Sequence, residues 1–212
     1  MLTERERNIL QYAQMKHDET YETYNGTTYF LGHVLQVMAF SIPHSVVVSG
    51  CHDLIEDTDA DWSDLVRLGA NLQELSALFI LTDPPKEGFN RARRKEIMNA
   101  KLMHSFMYDD INVANTVLAV KLADRLVNFF SPDPTNSYRD RYREENKKFN
   151  SLMRWGIHKL HTRGAYNAAV AEALYALVKV IEDENQAAYD HMVKSTQLDA
   201  FQVNMDLETY NV

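Results

Sequence analysis

The chain has 212 residues, 45% hydrophobic and 25% charged, with a formal net charge of -8 and one cysteine, Cys51. That length suits one large or two small domains with a real core. The acidic balance excludes bulk binding to nucleic acid or anionic membranes, and the lone cysteine excludes an intrachain disulfide and a multi-thiolate zinc site.

No run approaches the ~20 apolar residues of a membrane span, and the polar start, Met1 to Asn8, does not read as a signal peptide. With a single thiol the chain fits a reducing, cytoplasmic setting. Glycine and proline are sparse, at 7 and 5, and amphipathic periodicity recurs throughout. The fold class expected is all-α.

In chain order, residues 3–16 predict a first helix with Thr3 as N-cap and Glu4 and Glu6 in its first turn. Residues 17–28, polar and holding Asn25-Gly26, predict a loop. A second helix is expected from Tyr29 to Phe40, and a third, after Pro43, over 44–57. Asp61 or Ser63 caps a short helix near 63–69, and Asn71 caps one running to Leu81. Residues 82–90, with Pro84 and Pro85, form a loop. Arg91 to Met107 is strongly helical and begins with Arg91, Arg93, Arg94 and Lys95. Further helices are expected over 112–130, 138–162 and 165–195, with Gly164 between the last two. The tail, 196–212, has no clear period. The economical organisation is a single domain over 1–195, and a homo-oligomer is compatible with it.

Chemistry concentrates between Ser49 and Thr58, where His52 and Asp53 stand side by side and Glu56 and Asp57 follow. On one continuous helix these four would share a face. Crowded carboxylates are costly without a cation among them; a solvated acidic face is the plainer reading. His33 lies on the preceding helix. Asp124 sits in the apolar run Val117 to Phe130, where a carboxylate needs a partner: Lys121, Arg125 or a metal. His33, His52, Asp53 and Asp124 together give two imidazoles and two carboxylates, a mixed set that suits Mn, Fe, Co, Ni or Zn. Glu56 or Asp57 could then position or deprotonate a water.

The order His33, His52-Asp53, Asp124 resembles the H…HD…D signature of HD-domain phosphohydrolases. Residues 52–58, HDLIEDT, resemble the HD-x-x-EDT of the RelA/SpoT-type (p)ppGpp hydrolase domain, and 121–128, KLADRLVN, its KLADR-L-x-N. Leu81-Thr82-Asp83 and the basic cluster after it resemble the small stand-alone, metazoan SpoT-like versions. The likeness covers about 29–130.

It implies an HD-domain helical bundle with extra C-terminal helices, one divalent metal, usually Mn²⁺, on His33, His52, Asp53 and Asp124, and Glu56 and Asp57 as the water-activating pair. It also implies Asn128, Arg91, Arg94, Lys95 and Lys121 as substrate-binding residues. The partner expected is a small nucleotide and the reaction is hydrolysis of ppGpp to GDP and pyrophosphate. Another nucleotide (a dNTP or NADPH) and a catalytically weak nucleotide sensor are the alternatives. Two departures bear on the substrate: no Arg-Lys pair precedes His33, and Tyr29 lies one residue out of the family's register.

Overall fold

The structure, a computed structural model, describes residues 2–20, 26–41, 46–130 and 137–195. It is built from α1 (Glu4–Thr20), a π-helical turn (Phe30–Val34) running into α2 (Leu35–Phe40), α3 (Val46–Gly50), α4 (Leu54–Asp57), α5 (Trp62–Arg67) and α6 (Leu72–Leu81). Then come α7 (Arg91–Tyr108), α8 (Ile111–Phe130), α9 (Ser137–Thr162), α10 (Ala168–Glu182) and a helical segment over 186–195. No described residue forms a strand beyond a lone bridge at Thr27. No helix among the described residues is long and apolar enough to cross a membrane.

The bundle is organised around α8. Its buried residues run from Val113 to Phe130 on nearly every face, as expected for a helix enclosed by others. It packs against α2, α6, α7, α9 and α10. From Val117 onward its polar residues are Lys121, Asp124, Arg125 and Asn128, a single stripe at helical spacing. That stripe needs polar partners, and the surrounding elements supply them.

Local signals set most helix starts. Thr3 and Glu6 exchange side-chain-to-backbone bonds at the head of α1. Asp61 and Asn71 form full capping boxes with Asp64 and Glu74, and Asn90 accepts the Arg93 N–H at 2.9 Å. Each such cap contributes about 1 kcal/mol. Gly164 ends the turn after α9 at φ 84°, a conformation other residues resist.

Three expectations change. The first helix runs on through 17–20, where the polar sequence predicts loop, because His17 is fully buried and anchors that turn. The helix expected over 44–57 breaks at Cys51-His52-Asp53. The His52 ring bonds the Ser49 carbonyl at 2.7 Å there, and the β-branched and glycine residues before it are weak helix formers. The helix expected over 165–195 splits at 183–185, where Glu184 takes φ 50° and its carboxylate engages Arg143. The turn signal at Asn25, Pro43 and the tail lie outside the described residues.

One close crossing gives a stability test. A Cβ on Gly156 of α9 would meet Phe106 ring carbons at 2.6 Å and Leu118 Cδ1 at 3.0 Å, and both side chains are fully buried. Gly156→Ala is expected to cost about 1–3 kcal/mol through overpacking, read from urea denaturation.

Candidate metal centre

Four donors from three parts of the chain converge. His33, on the π-helical turn, is fully buried, and His52, in the turn after α3, is 4% exposed. The two Nε2 atoms lie 3.2 Å apart. Asp53 Oδ2 is 3.0 Å from His52 Nε2 and 3.4 Å from His33 Nε2. Asp124 Oδ1, from the middle of α8, is 3.9 and 3.7 Å from the same two nitrogens. All four donor atoms fall within 4.8 Å of one another.

The His33, His52 and Asp53 separations fit a common ion, and Asp124 lies a few tenths of an ångström farther out. Metal bonds of roughly 2.1 Å at ordinary coordination angles place neighbouring donors about 3.0–3.6 Å apart. The hydrogen bonding agrees: His52 Nδ1, bonded to the Ser49 carbonyl, carries a hydrogen, so Nε2 is the nitrogen that can offer a lone pair to an ion in the cluster. Two imidazole nitrogens at 3.2 Å also require a proton or a cation between them or beside them. The cluster can therefore hold a divalent metal.

Its electrostatics are tightly linked. Burial alone would raise Asp53, but the His52 and His33 imidazoles hold its carboxyl well below the usual range. Burial works against a charged His52; Asp53 and Asp124 overcome it and lift the imidazole to about 9. Asp124 is lowered despite burial, chiefly by Lys121.

The polar stripe of α8 now finds its partners. Lys121 Nζ donates to Asp124 Oδ2 at 3.3 Å, and Asn128 Nδ2 donates to Asp124 Oδ1. Both residues, expected at the substrate, are engaged with Asp124. Arg125 turns away. It reaches Glu145 and Asn146 at 3.4 Å, with its guanidinium 4.5 Å from the Tyr142 ring centre and 4.6 Å from that of Phe149.

The break at 51–53 separates Glu56 from the face that a continuous helix would have it share with His52. Glu56 lies outside the four-donor cluster and accepts the Asp83 backbone N–H. Burial raises its acid to about 7, against the pull of Lys121. Asp57 ends α4, and its charge reaches the Tyr29 phenol.

Glu56 opens onto a pocket of about 340 Å³ lined also by Thr82, Asp83, Lys86 and Arg94. Asp83 Oδ1 and Arg94 Nε are buried with no hydrogen-bond partner among the described residues. Of the other expected basic residues, Lys95 Nζ lies 3.4 Å from Asp83 and Arg91 pairs with Glu145 at 2.7 Å. A larger groove, about 650 Å³, runs between Phe79 and His104 and shares no residue with the cluster.

Sequence reasoning placed Tyr29 near the family's tyrosine without its contact to Asp53, and it missed His17. The Tyr29 hydroxyl donates to Asp53 Oδ2 at 2.6 Å. The His17 ring lies tilted against Tyr29 with ring centres 5.0 Å apart, and burial lowers its imidazole to about 4. Tyr29 stands four positions before His33, a spacing that puts them on one helical face and was open to inspection.

No protein-family model matches the sequence, and no curated protein matches it. Among solved structures, the chain is similar to a metazoan ortholog of SpoT described as hydrolysing ppGpp and playing a role in starvation responses. The TM-score is 0.58 at 20% sequence identity, covering 88% of this chain and 98% of that one. With its all-α architecture and the buried His/Asp cluster in place, the chain has the HD-domain, SpoT-like fold.

Proposed function

We propose that the protein is a metal-dependent phosphohydrolase of a small nucleotide, acting on the 3′-pyrophosphate of ppGpp to give GDP and pyrophosphate. The single observation that carries this is the convergence of His33, His52, Asp53 and Asp124 beside a half-buried acid at a pocket, Glu56. A divalent ion on those four, Mn²⁺ by the family resemblance, would polarise a phosphoryl oxygen and make water acidic enough to attack at neutral pH.

The chain's own groups do the rest. Ionised Glu56 takes a proton from the attacking water, whose oxygen bonds to the phosphorus attached to the ribose 3′-oxygen. The bond from that phosphorus to the 3′-oxygen breaks, and the 3′-oxygen leaves as the GDP hydroxyl with the proton that Glu56 accepted, which restores the ionised acid. Asp57, one residue on, orders the water. Arg94, at the pocket beside Glu56, and Lys95 next to it face the negative charge of the phosphates, with Lys121 adding its charge from beneath. Asn128 and Lys121 also hold Asp124 in its rotamer.

The reading of the base is open to other nucleotides for a physical reason. The stretch that would carry the family's Arg-Lys pair, from His17 to Gly26, holds no such pair and opens on buried His17 instead. A panel of ppGpp, NADPH and dNTPs, incubated with Mn²⁺ and resolved by chromatography, tests both levels. Release of pyrophosphate from ppGpp is the expected result. Turnover of another member of the panel would revise the substrate, and binding without any product would favour a sensor.

A further inference from the structure

We propose that Tyr29 is a positioning residue: its phenol fixes the Asp53 carboxylate so that one lone pair of Oδ2 is aimed at the ion. The inference rests on the reading that the four-donor cluster holds a divalent metal. It concerns a residue for which the motif resemblance assigns no role.

The geometry is specific. The Tyr29 hydroxyl donates to Oδ2, the same oxygen that lies 3.0 Å from His52 Nε2 and 3.4 Å from His33 Nε2. At 2.6 Å this is within the range of a charge-assisted O–H···O⁻ bond. A carboxylate oxygen has two acceptor directions. With the phenol on one, the other is left toward the cluster, and the Asp53 side chain cannot rotate without losing the bond.

The same device recurs around the centre. The Ser49 carbonyl orients His52, and Asn128 and Lys121 orient Asp124. Tyr29 completes the set for the second carboxylate. Such outer partners of metal-ligating groups set both orientation and basicity.

The backbone is shaped to place this ring. Leu35 N–H bonds the Phe30 carbonyl five residues back, so the chain makes one π turn between Tyr29 and α2. Turns of this kind often mark functional sites. Across this turn the Tyr29 and His33 rings lie tilted at 34° with their centres 5.0 Å apart. His17 also lies against the tyrosine, with ring centres 5.0 Å apart, so the Tyr29 ring contacts two imidazoles. These ring contacts matter because an orienting donor is useful only if its own rotamer is fixed.

Tyr29→Phe keeps the ring and both ring contacts and removes the donor alone. The metal-stripped variant and wild type would each be titrated with Mn²⁺ by calorimetry, and each loaded with Co²⁺ for visible absorption. The expected result is a loss of Mn²⁺ affinity of about 10- to 100-fold and a changed Co²⁺ spectrum, with apoprotein far-UV circular dichroism retained. Equal affinity and an identical Co²⁺ spectrum would overturn the positioning role while leaving the hydrolase reading intact. Wild type that takes up neither ion would overturn both.

Discussion

Asp53→Ala is expected to lower metal-dependent turnover by about 10³-fold or more, because it removes one of four donors together with the charge that holds the two imidazoles in place. Asp53 Oδ2 touches His33, His52 and Tyr29 at once, and it lies nearer to both imidazoles than Asp124 does. Asp53→Asn keeps an acceptor for the Tyr29 phenol and isolates the lost charge; it should fold like wild type and still fail to bind the ion.

The alanine substitution has a pH signature in the metal-free protein. His52 is raised to about 9 from an ordinary 6.5, so its pairing with Asp53 stabilises the fold fully below 6.5 and fades as pH rises through 9. Asp53 is held far below 3.8, so its own contribution is present above that value and lost only in strong acid. The two shifts describe one interaction. Urea denaturation should therefore show Asp53→Ala most destabilised, by about 3–5 kcal/mol, between about pH 5 and 6.5, with the gap narrowing above about pH 9.

Glu56→Gln separates chemistry from stability. Removing the proton acceptor is expected to reduce kcat by about 10²- to 10⁴-fold, while Mn²⁺ affinity stays unchanged because Glu56 is outside the four donors. The folded acid keeps its proton to about 7 and the free acid only to 4.5. Between those values the folded chain binds more protons, so stability falls as pH rises. The cost of the buried charge is absent below 4.5 and complete above about 7, reaching about 3 kcal/mol. In the Glu56→Gln variant the side-chain amide oxygen can still accept the Asp83 N–H. That variant should be more stable than wild type at about pH 8 and equal to it at about pH 4. Wild-type kcat/KM should climb with pH along a limb at or below about 7, since a bound cation favours the ionised acid, and Glu56→Gln should lack that limb.

The stripe of Lys121, Asp124, Arg125 and Asn128 was legible in the sequence because it interrupts an apolar run at helical spacing. The capping pairs at Asp61 and Asn71 were legible because their partners lie within three residues. The convergence of His33 and His52-Asp53 on Asp124 followed from motif order. What stayed hidden depends on contacts between distant segments and on local competition for backbone groups. Periodicity through 44–57 gave no warning that the His52 ring would take the Ser49 carbonyl and break the helix. Ideal helix geometry sets Glu56 beside His52, and the break turns it toward Asp83. The polar look of 17–20 suggests loop, whereas the burial of His17 under Tyr29 keeps that turn helical. The motif resemblance marks Lys121 and Asn128 as candidates for the substrate, and only the packed structure shows both of them bonded to Asp124.

The most direct test is an anomalous difference map from crystals of the protein soaked in Mn²⁺. One peak per chain is predicted, enclosed by His33 Nε2, His52 Nε2, Asp53 Oδ2 and Asp124 Oδ1. A map with no peak among those atoms, under conditions where the ion is in large excess, would contradict the account.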